Sequence, residues 1–222
     1  MLSNNKYYFV FFIFIYLNTS AIGNPIENDT LIKSQLNNFY TIKKNKDMKT
    51  EWQLEGSMMT KYNNDITLIN NPYLNMYKVD SSINIKSDSA IDPSGKMEEI
   101  YLKNNVFINK VYLTDDAPMK MYTSYAIFYI SKNLVETDRD VTIITSGSTT
   151  TGSGLSANMD TGMIMVLSNV KRRIKENDKF RIIEGNQMIY DSKNKNWIVK
   201  DTAASDLKKK IRKKVSTTFN IE

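Results

Sequence analysis

Residues 51–62 read EWQLEGSMMTKY, and in their first half Trp52 and Leu54 alternate with Glu51, Gln53 and Glu55. A period of two residues is typical of a β-strand that buries one face, because successive side chains on a strand point to opposite sides. Similar short runs follow up to about residue 200, and no window between residues 50 and 200 shows a clear helical period of 3.6 residues. The sequence therefore predicts an all-β domain of antiparallel strands.

One apolar residue of each alternating pair is expected to face the interior of that domain. The inward-facing candidates are Trp52, Leu54, Met58, Ile66, Leu68, Leu74, Met76, Ile83, Ile85, Ile100, Leu102, Val106, Ile108, Phe128, Ile130, Val141, Ile143, Ile164 and Val166. Their neighbours along the strands should point outward, among them Gln53, Lys86, Lys103 and Tyr129. From the residues alone, such an interior is either the sealed core of a sandwich or an open apolar trough.

A loose internal repeat runs through the chain. Turn-like triplets at residues 93–95, 131–133, 160–162 and 192–194 lie about 30 to 40 residues apart, and each is followed by an alternating strand. After the first three, a polar corner and a valine come next, at Val106, Val141 and Val170. This order suggests hairpin layers that stack on one another, although Ser, Asn, Asp and Gly mark turns in any β protein.

The composition excludes several kinds of site. The 222 residues contain no cysteine and no histidine, so disulfides, Cys/His zinc sites and cysteine or histidine catalysis are excluded. The net charge is +6, but residues 207–222 carry six cations and one acid, so residues 1–206 hold only +6 − 5 = +1. A nucleic-acid-binding domain would carry its basic stripe on the fold itself, so nucleic acid is not an expected partner.

Catalysis could then run only on carboxylates, lysines or tyrosines. Acid pairs occur at residues 98–99, 115–116 and 138/140, and paired carboxylates are the machinery of glycoside hydrolysis. Each pair lies beside a predicted turn, where acids are usually solvated. The glycine-rich residues 147–154 lack the lysine of a phosphate loop. We therefore assign no catalytic residue, metal ligand or cofactor, and expect a protein that is not an enzyme.

The N-terminus contains an export signal. Residues 7–17, YYFVFFIFIYL, are uninterruptedly apolar or aromatic and follow a single cation, Lys6. The run has the length of a cleavable signal peptide, with a small-x-small site at residues 21–23, and it could also continue to residue 23 as a short anchor helix. Both alternatives place the chain from about residue 25 onward across a membrane.

Several of these segments together resemble the LptC family. They are the N-terminal apolar segment, EWQLEGSMMTKY (51–62), ITLINNPYLNMY (66–77), EEIYLKNNVFI (98–108), MYTSYAIFYISKNLVETDRDVTI (121–143) and TGSGLSANMDTGMIMVLSNV (151–170). The resemblance implies an open β-jellyroll of stacked antiparallel strands, preceded by one N-terminal transmembrane or signal-anchor helix. It also implies a single-pass inner-membrane protein whose C-terminal domain lies in the periplasm.

The expected organisation is a cytoplasmic N-terminus (1–6), an anchor helix (7–23), a linker leading into the domain (24–49), the jellyroll (50–200) and a basic tail (201–222). The resemblance implies that the domain accepts lipopolysaccharide from an LptB2FG-type ABC transporter of the inner membrane. The lipid would pass along the apolar interior to an LptA-like periplasmic protein. Docking of that partner is expected at Gly152, Gly154 and Leu155, near a terminal edge.

Other functions are compatible with the residues. A soluble LptA-type bridge protein would share much of the pattern, and its mature chain would begin near Asn24. A secreted carbohydrate-binding β-sandwich would instead expose a cluster of aromatic and polar side chains. A carboxylate glycosidase is the most distant alternative.

Overall fold

The computed structural model describes residues 31–114, 116–176, 179–200 and 218–219. Within them the chain is all-β, as predicted, with one short 3₁₀ helix at Ile130–Lys132. The strands are β1 (Ile32–Lys44), β2 (Thr50–Tyr62), β3 (Thr67–Asn70), β4 (Tyr73–Tyr77), β5 (Ser81–Lys86), β6 (Ser89–Asp92), β7 (Glu99–Tyr112), β8 (Met119–Tyr129), β9 (Leu134–Thr145), β10 (Ser148–Asn158), β11 (Met163–Glu176), β12 (Lys179–Gly185), β13 (Gln187–Asp191), β14 (Asn196–Lys200) and β15 (Thr218–Phe219).

All the strands belong to one antiparallel sheet. Its central part, from β7 to β11, is a meander of long strands that pair in chain order. The four predicted turns connect β6 to β7, β8 to β9, β10 to β11 and β13 to β14. The stacked antiparallel architecture is consistent with the predicted jellyroll.

The sheet folds over along a line of corners, at which long strands change partners. The first part of β7 pairs with β6 and the second part with β5, and the register shifts between Lys103 and Val106. In the same way β2 pairs first with β4 and then with β3, while β11 pairs first with β13 and then with β12. We call the resulting layers the β5 half, which includes β4, β5 and β12, and the β6 half, which includes β3, β6, β13 and β14.

Asparagines form the sharpest of these corners. Asn104 and Asn105 both have left-handed backbones, with φ of 59° and 49°, and Asn169 repeats this conformation in β11. Asparagine tolerates positive φ better than other residues with a Cβ. The side-chain amide nitrogen (Nδ2) of Asn105 donates a hydrogen bond to Asp88 Oδ2 at 2.9 Å. This bond connects the corner of β7 to the break between β5 and β6.

A buried valine follows each polar corner, as the repeat predicts. Val106, Val141 and Val170 are all buried in the apolar core. One continuous core cluster includes residues from both halves, so the two halves pack on each other through their apolar faces. The corner therefore lets one sheet supply both walls of a single interior.

The sheet begins earlier than expected. β1 lies within residues 24–49, which the sequence suggests to be a linker, and it pairs with β2 over most of its length. Polar residues such as Gln35, Asn37 and Asn38 obscure its alternation, because an edge strand exposes much of both faces. The predicted anchor helix (7–23) lies outside the described residues, and so does the basic tail apart from β15, which pairs with β14.

Candidate functional site

The candidate site is the apolar interior between the two halves. Fifteen of the nineteen inward-facing candidates are buried there, with the alternation that the sequence predicts. Leu54 and Phe128 are each 1% exposed, whereas Lys86 and Lys103 are exposed. The fifteen are Trp52, Leu54, Leu74, Met76, Ile83, Ile85, Ile100, Leu102, Val106, Ile108, Phe128, Val141, Ile143, Ile164 and Val166.

Four candidates are only partly buried. Ile130 still packs against the core, but Met58, Ile66 and Leu68 do not belong to the core cluster. In β2 and β3 the core-facing pair is Met59 and Ile69, which are directly opposite each other. Because Met58-Met59 and Leu68-Ile69 are apolar doublets, alternation alone does not specify which member faces inward.

Other residues of the interior were missed. Met119 and Met121 alternate in β8 and are buried, and Trp197 of β14 is 1% exposed. The first two carry the same period-two signal as the predicted residues. Trp197 lies in a short strand that shows little alternation, so only its large apolar ring indicated a buried position.

The interior is filled by its own side chains. Ile69, Ile83, Ile143, Val166 and Met188 are 0% exposed. An acyl chain could enter only if the two halves moved apart. Methionines line part of both walls, and their unbranched, flexible side chains adapt to a guest of irregular shape.

Two ionic contacts close the rim, the side of the sheet where the turns of the two halves meet. Lys78, in the β4–β5 turn, lies 2.7 Å from Asp160 Oδ1 in the β10–β11 turn, and Asn133 also donates to Asp160. Lys195, in the β13–β14 turn, pairs with Asp116 in the β7–β8 loop. We call these two pairs the rim clasps, since each joins a turn of the β5 half to a turn of the β6 half.

The clasp carboxylates are stabilised in their ionised form. Burial raises the pKa of Asp160, but hydrogen bonds from Lys78 and Asn133 outweigh it, so the pKa lies below its ordinary value. Hydrogen bonds from Lys195 and Thr114 lower the pKa of Asp116. Both carboxylates are therefore ionised at neutral pH, and partial exposure keeps each contact weak enough to be broken.

The acid pairs considered for catalysis serve the fold where they are described. Glu99 accepts a hydrogen bond from Tyr101, and Asp140 accepts one from Ser153 at the corner. Asp116 belongs to a rim clasp, and its neighbour Asp115 lies outside the described residues. The described part of the chain contains no group of three acids placed to hold a metal ion.

The residues expected to dock a partner lie elsewhere than expected. Gly152, Gly154 and Leu155 belong to β10, which pairs with β9 on one side and β11 on the other. The premise that they lie near a terminal edge is therefore wrong, because the ladder there is already occupied. Docking at these three residues stays a prediction, but the free strand edge that was its reason is not present there.

A family model for lipopolysaccharide-assembly, LptC-related proteins matches residues 8–176. The chain belongs to the LptC family. The match ends at the last residue of β11, so β12–β15 lie beyond it. A search of curated proteins gave no match.

Membership gives the protein a role in lipopolysaccharide transport, within a family of transport components rather than enzymes. LptC proteins are typically associated with membranes. None of the helices in the part of the chain that the structure describes has the length and apolar character needed to cross one.

Proposed function

We propose that this LptC-family protein is a periplasmic conduit for lipopolysaccharide, anchored in the inner membrane by residues 7–23. It accepts the lipid from an LptB2FG-type ABC transporter and passes it to an LptA-like protein. The observation that supports this proposal most directly is the continuous apolar interior, which has walls from both halves and is held shut by weak ionic contacts.

The energetics suit such a cargo. Leaving an acyl chain of about twelve carbons in water costs roughly 9 kcal/mol, at ~0.8 kcal/mol per methylene. Parting the two halves exposes apolar side chains of the protein, and an incoming acyl chain covers them again. Loading is then an exchange of apolar contacts, and it begins with the opening of the rim.

Free strand edges provide places for both partners. Within the described residues β1 pairs only with β2, and β12 pairs only with β11. Such edges bind a further strand through their unpaired backbone groups. We assign β1 to the transporter side and β12, with the neighbouring β14–β15 edge, to the LptA-like side.

A locked rim tests the conduit. The chain has no cysteine, so Lys78→Cys with Asp160→Cys creates one pair that a short bismaleimide can bridge. A photo-crosslinking residue at Leu102 should capture lipopolysaccharide in the unlocked protein, and the bridged protein should lose most of this capture. The same residue at Lys103 should capture little, because it points outward.

The matched control is a lock within one half. Lys171 and Glu184 form an ion pair at 3.1 Å between β11 and β12, so Lys171→Cys with Glu184→Cys receives the same reagent without joining the halves. Capture should persist in this variant. Equal capture at Leu102 and Lys103, or no effect of the rim lock, would exclude a conduit that loads by opening.

A further inference from the structure

An arginine is buried inside the apolar interior, where no acidic side chain among the described residues pairs with it. Arg172 of β11 is 1% exposed, and its guanidinium lies 4.9 Å from the Trp197 ring, so it reaches from the β5 half to the β6 half. Its Nη2 donates a hydrogen bond to Ser148 Oγ at 3.3 Å. The ion pairs found among the described residues do not include it.

Several hydrogen-bond donors around this arginine have no acceptor in the described part of the chain. Nε and Nη1 of Arg172 are buried there without a partner, and so is Nε1 of Trp197. Thr150, directly across from Arg172 on β10, is 0% exposed, and its hydroxyl also finds no partner among residues whose positions the structure describes. We call Arg172, Ser148, Thr150 and Trp197 the Arg172 cluster.

A second buried cation lies in the same part of the interior. Lys110 of β7 is 5% exposed, and its ammonium group donates to Ser192 Oγ at 3.2 Å. The ring of its neighbour Tyr112 lies 5.1 Å from this ammonium group, and the Tyr112 hydroxyl is buried close to Ser192 as well. Tyr190 connects the two regions, because it stacks on Trp197 and interacts electrostatically with both Tyr112 and Arg172.

This arrangement is costly for an empty protein. A buried charge without a counter-ion and a buried donor without an acceptor are both unfavourable. Burial lowers the pKa of Arg172 to about 10, which leaves the guanidinium charged at neutral pH. The cluster is rich in N–H and O–H donors, and the missing component is an anion with several acceptor oxygens.

We propose that the Arg172 cluster is a binding site for a phosphate group. A phosphate offers several oxygens to the planar fork of a guanidinium, which matches it in a bidentate manner. The bearer that fits an interior lined with aliphatic side chains is a phosphorylated lipid, such as the phosphorylated sugar that carries the acyl chains of lipopolysaccharide. The choice of a phosphorylated lipid as the ligand rests on the proposed conduit. The phosphate site itself rests on the geometry of the Arg172 cluster.

The test compares two lipids and two variants. Purified full-length protein is titrated with phosphorylated lipid A and with the same lipid after phosphatase treatment. Wild-type protein should bind the phosphorylated form roughly tenfold to a hundredfold more tightly, as expected for charge-assisted hydrogen bonds. Arg172→Met should bind the two lipids equally.

The neighbouring residue provides the matched control. Arg173 is exposed and its guanidinium lies 3.6 Å from the centre of the Phe180 ring, so Arg173→Met removes the same charge from the opposite face. It should keep the preference for phosphorylated lipid. Arg172→Met should also raise the melting temperature of the lipid-free protein, because it removes an uncompensated buried charge; a merely structural arginine would lower it.

Each outcome decides the proposal. Equal binding of the two lipids by wild-type protein overturns the phosphate site but leaves the conduit standing, and implies that water satisfies the cluster. If neither lipid binds, the proposed conduit is wrong. The phosphate site is then tested by comparing the melting temperature in inorganic phosphate with that in chloride of equal ionic strength. Stabilisation by phosphate of the wild type but not of Arg172→Met then supports a site for the free ion, and its absence overturns the site. If Arg172→Met does not fold, the wild-type comparison of the two lipids still decides.

Discussion

At the scale of single residues, two glycines of β10 are required for different reasons. A Cβ on Gly152 would lie 2.5 Å from Val166 Cγ1 and 2.8 Å from the Ser168 carbonyl oxygen, so close approach to β11 excludes a side chain. Gly154 has a φ of +74°, a left-handed backbone that most residues avoid. Both glycines shape the corner of an interior strand, and their conformations need no docking partner to explain them.

We expect Gly152→Ala to lower the free energy of unfolding by about 1–3 kcal/mol, because the added methyl group meets a backbone oxygen that cannot move easily. Urea denaturation followed by circular dichroism measures the change. The control is Gly147→Asn in the β9–β10 turn, where a Cβ would have its nearest neighbour at 3.9 Å and asparagine tolerates the φ of +66°. An alanine variant as stable as the wild type would mean that β10 and β11 can separate at the corner.

At the scale of elements, the corner of β7 contains two consecutive asparagines with left-handed backbones, and the two contribute to stability in different ways. Both Asn104 and Asn105 gain from their tolerance of positive φ, but within the described residues only the Asn105 side chain makes a hydrogen bond, to Asp88. Substitution of Asn105 should therefore remove both a backbone preference and a bond between neighbouring strands.

We expect Asn105→Ala to destabilise the domain by about 1–3 kcal/mol, since it adds the loss of a hydrogen bond to the cost of left-handed alanine. Asn104→Ala should cost less, about 1–2 kcal/mol. Asn104→Gly should be nearly neutral, because glycine adopts the same φ freely. Denaturation midpoints of the three variants give the order, and an equal loss for the two alanine variants would show that the Asp88 contact contributes nothing.

Some strands could be predicted from the sequence and others could not. Strands β7–β11 and their turns were predictable because one face is buried and alternation is a local signal. The inward-facing member of the doublet Leu68-Ile69 was not predictable, since its register is set by pairing with β2. β1 was missed because an edge strand is polar on much of its surface. Contacts between distant turns, such as Lys78–Asp160, leave no local pattern at all.

At the scale of the whole molecule, a folded-over sheet has two ends, and the proposed strand addition depends on which backbone groups remain free there. β12 pairs with β11 from Lys179 to Gly185 and has no second neighbour among the described residues. Ile182 is 52% exposed and Arg181 is also exposed, so substitutions at these positions disturb little of the core.

Proline substitutions in β12 can therefore separate docking from stability. Successive N–H groups of an edge strand point alternately toward its neighbour and toward the free side. Of Arg181→Pro and Ile182→Pro, we expect one to break the ladder to β11 and cost about 1–3 kcal/mol. The other should keep wild-type stability, yet bind an LptA-like partner about tenfold more weakly, since a free donor is lost.

Denaturation and a pull-down with the purified partner, both on the same preparation, measure the two effects. Arg181→Thr and Ile182→Thr are the matched controls, because threonine changes the same side chains and keeps the N–H; both should bind the partner normally. If the stable proline variant also binds normally, strand addition does not occur at β12, and the β14–β15 edge of the β6 half becomes the docking position to test. For the proposed conduit, the outcome thus decides which half of the sheet an LptA-like partner would extend, and which wall of the interior would lead toward that partner.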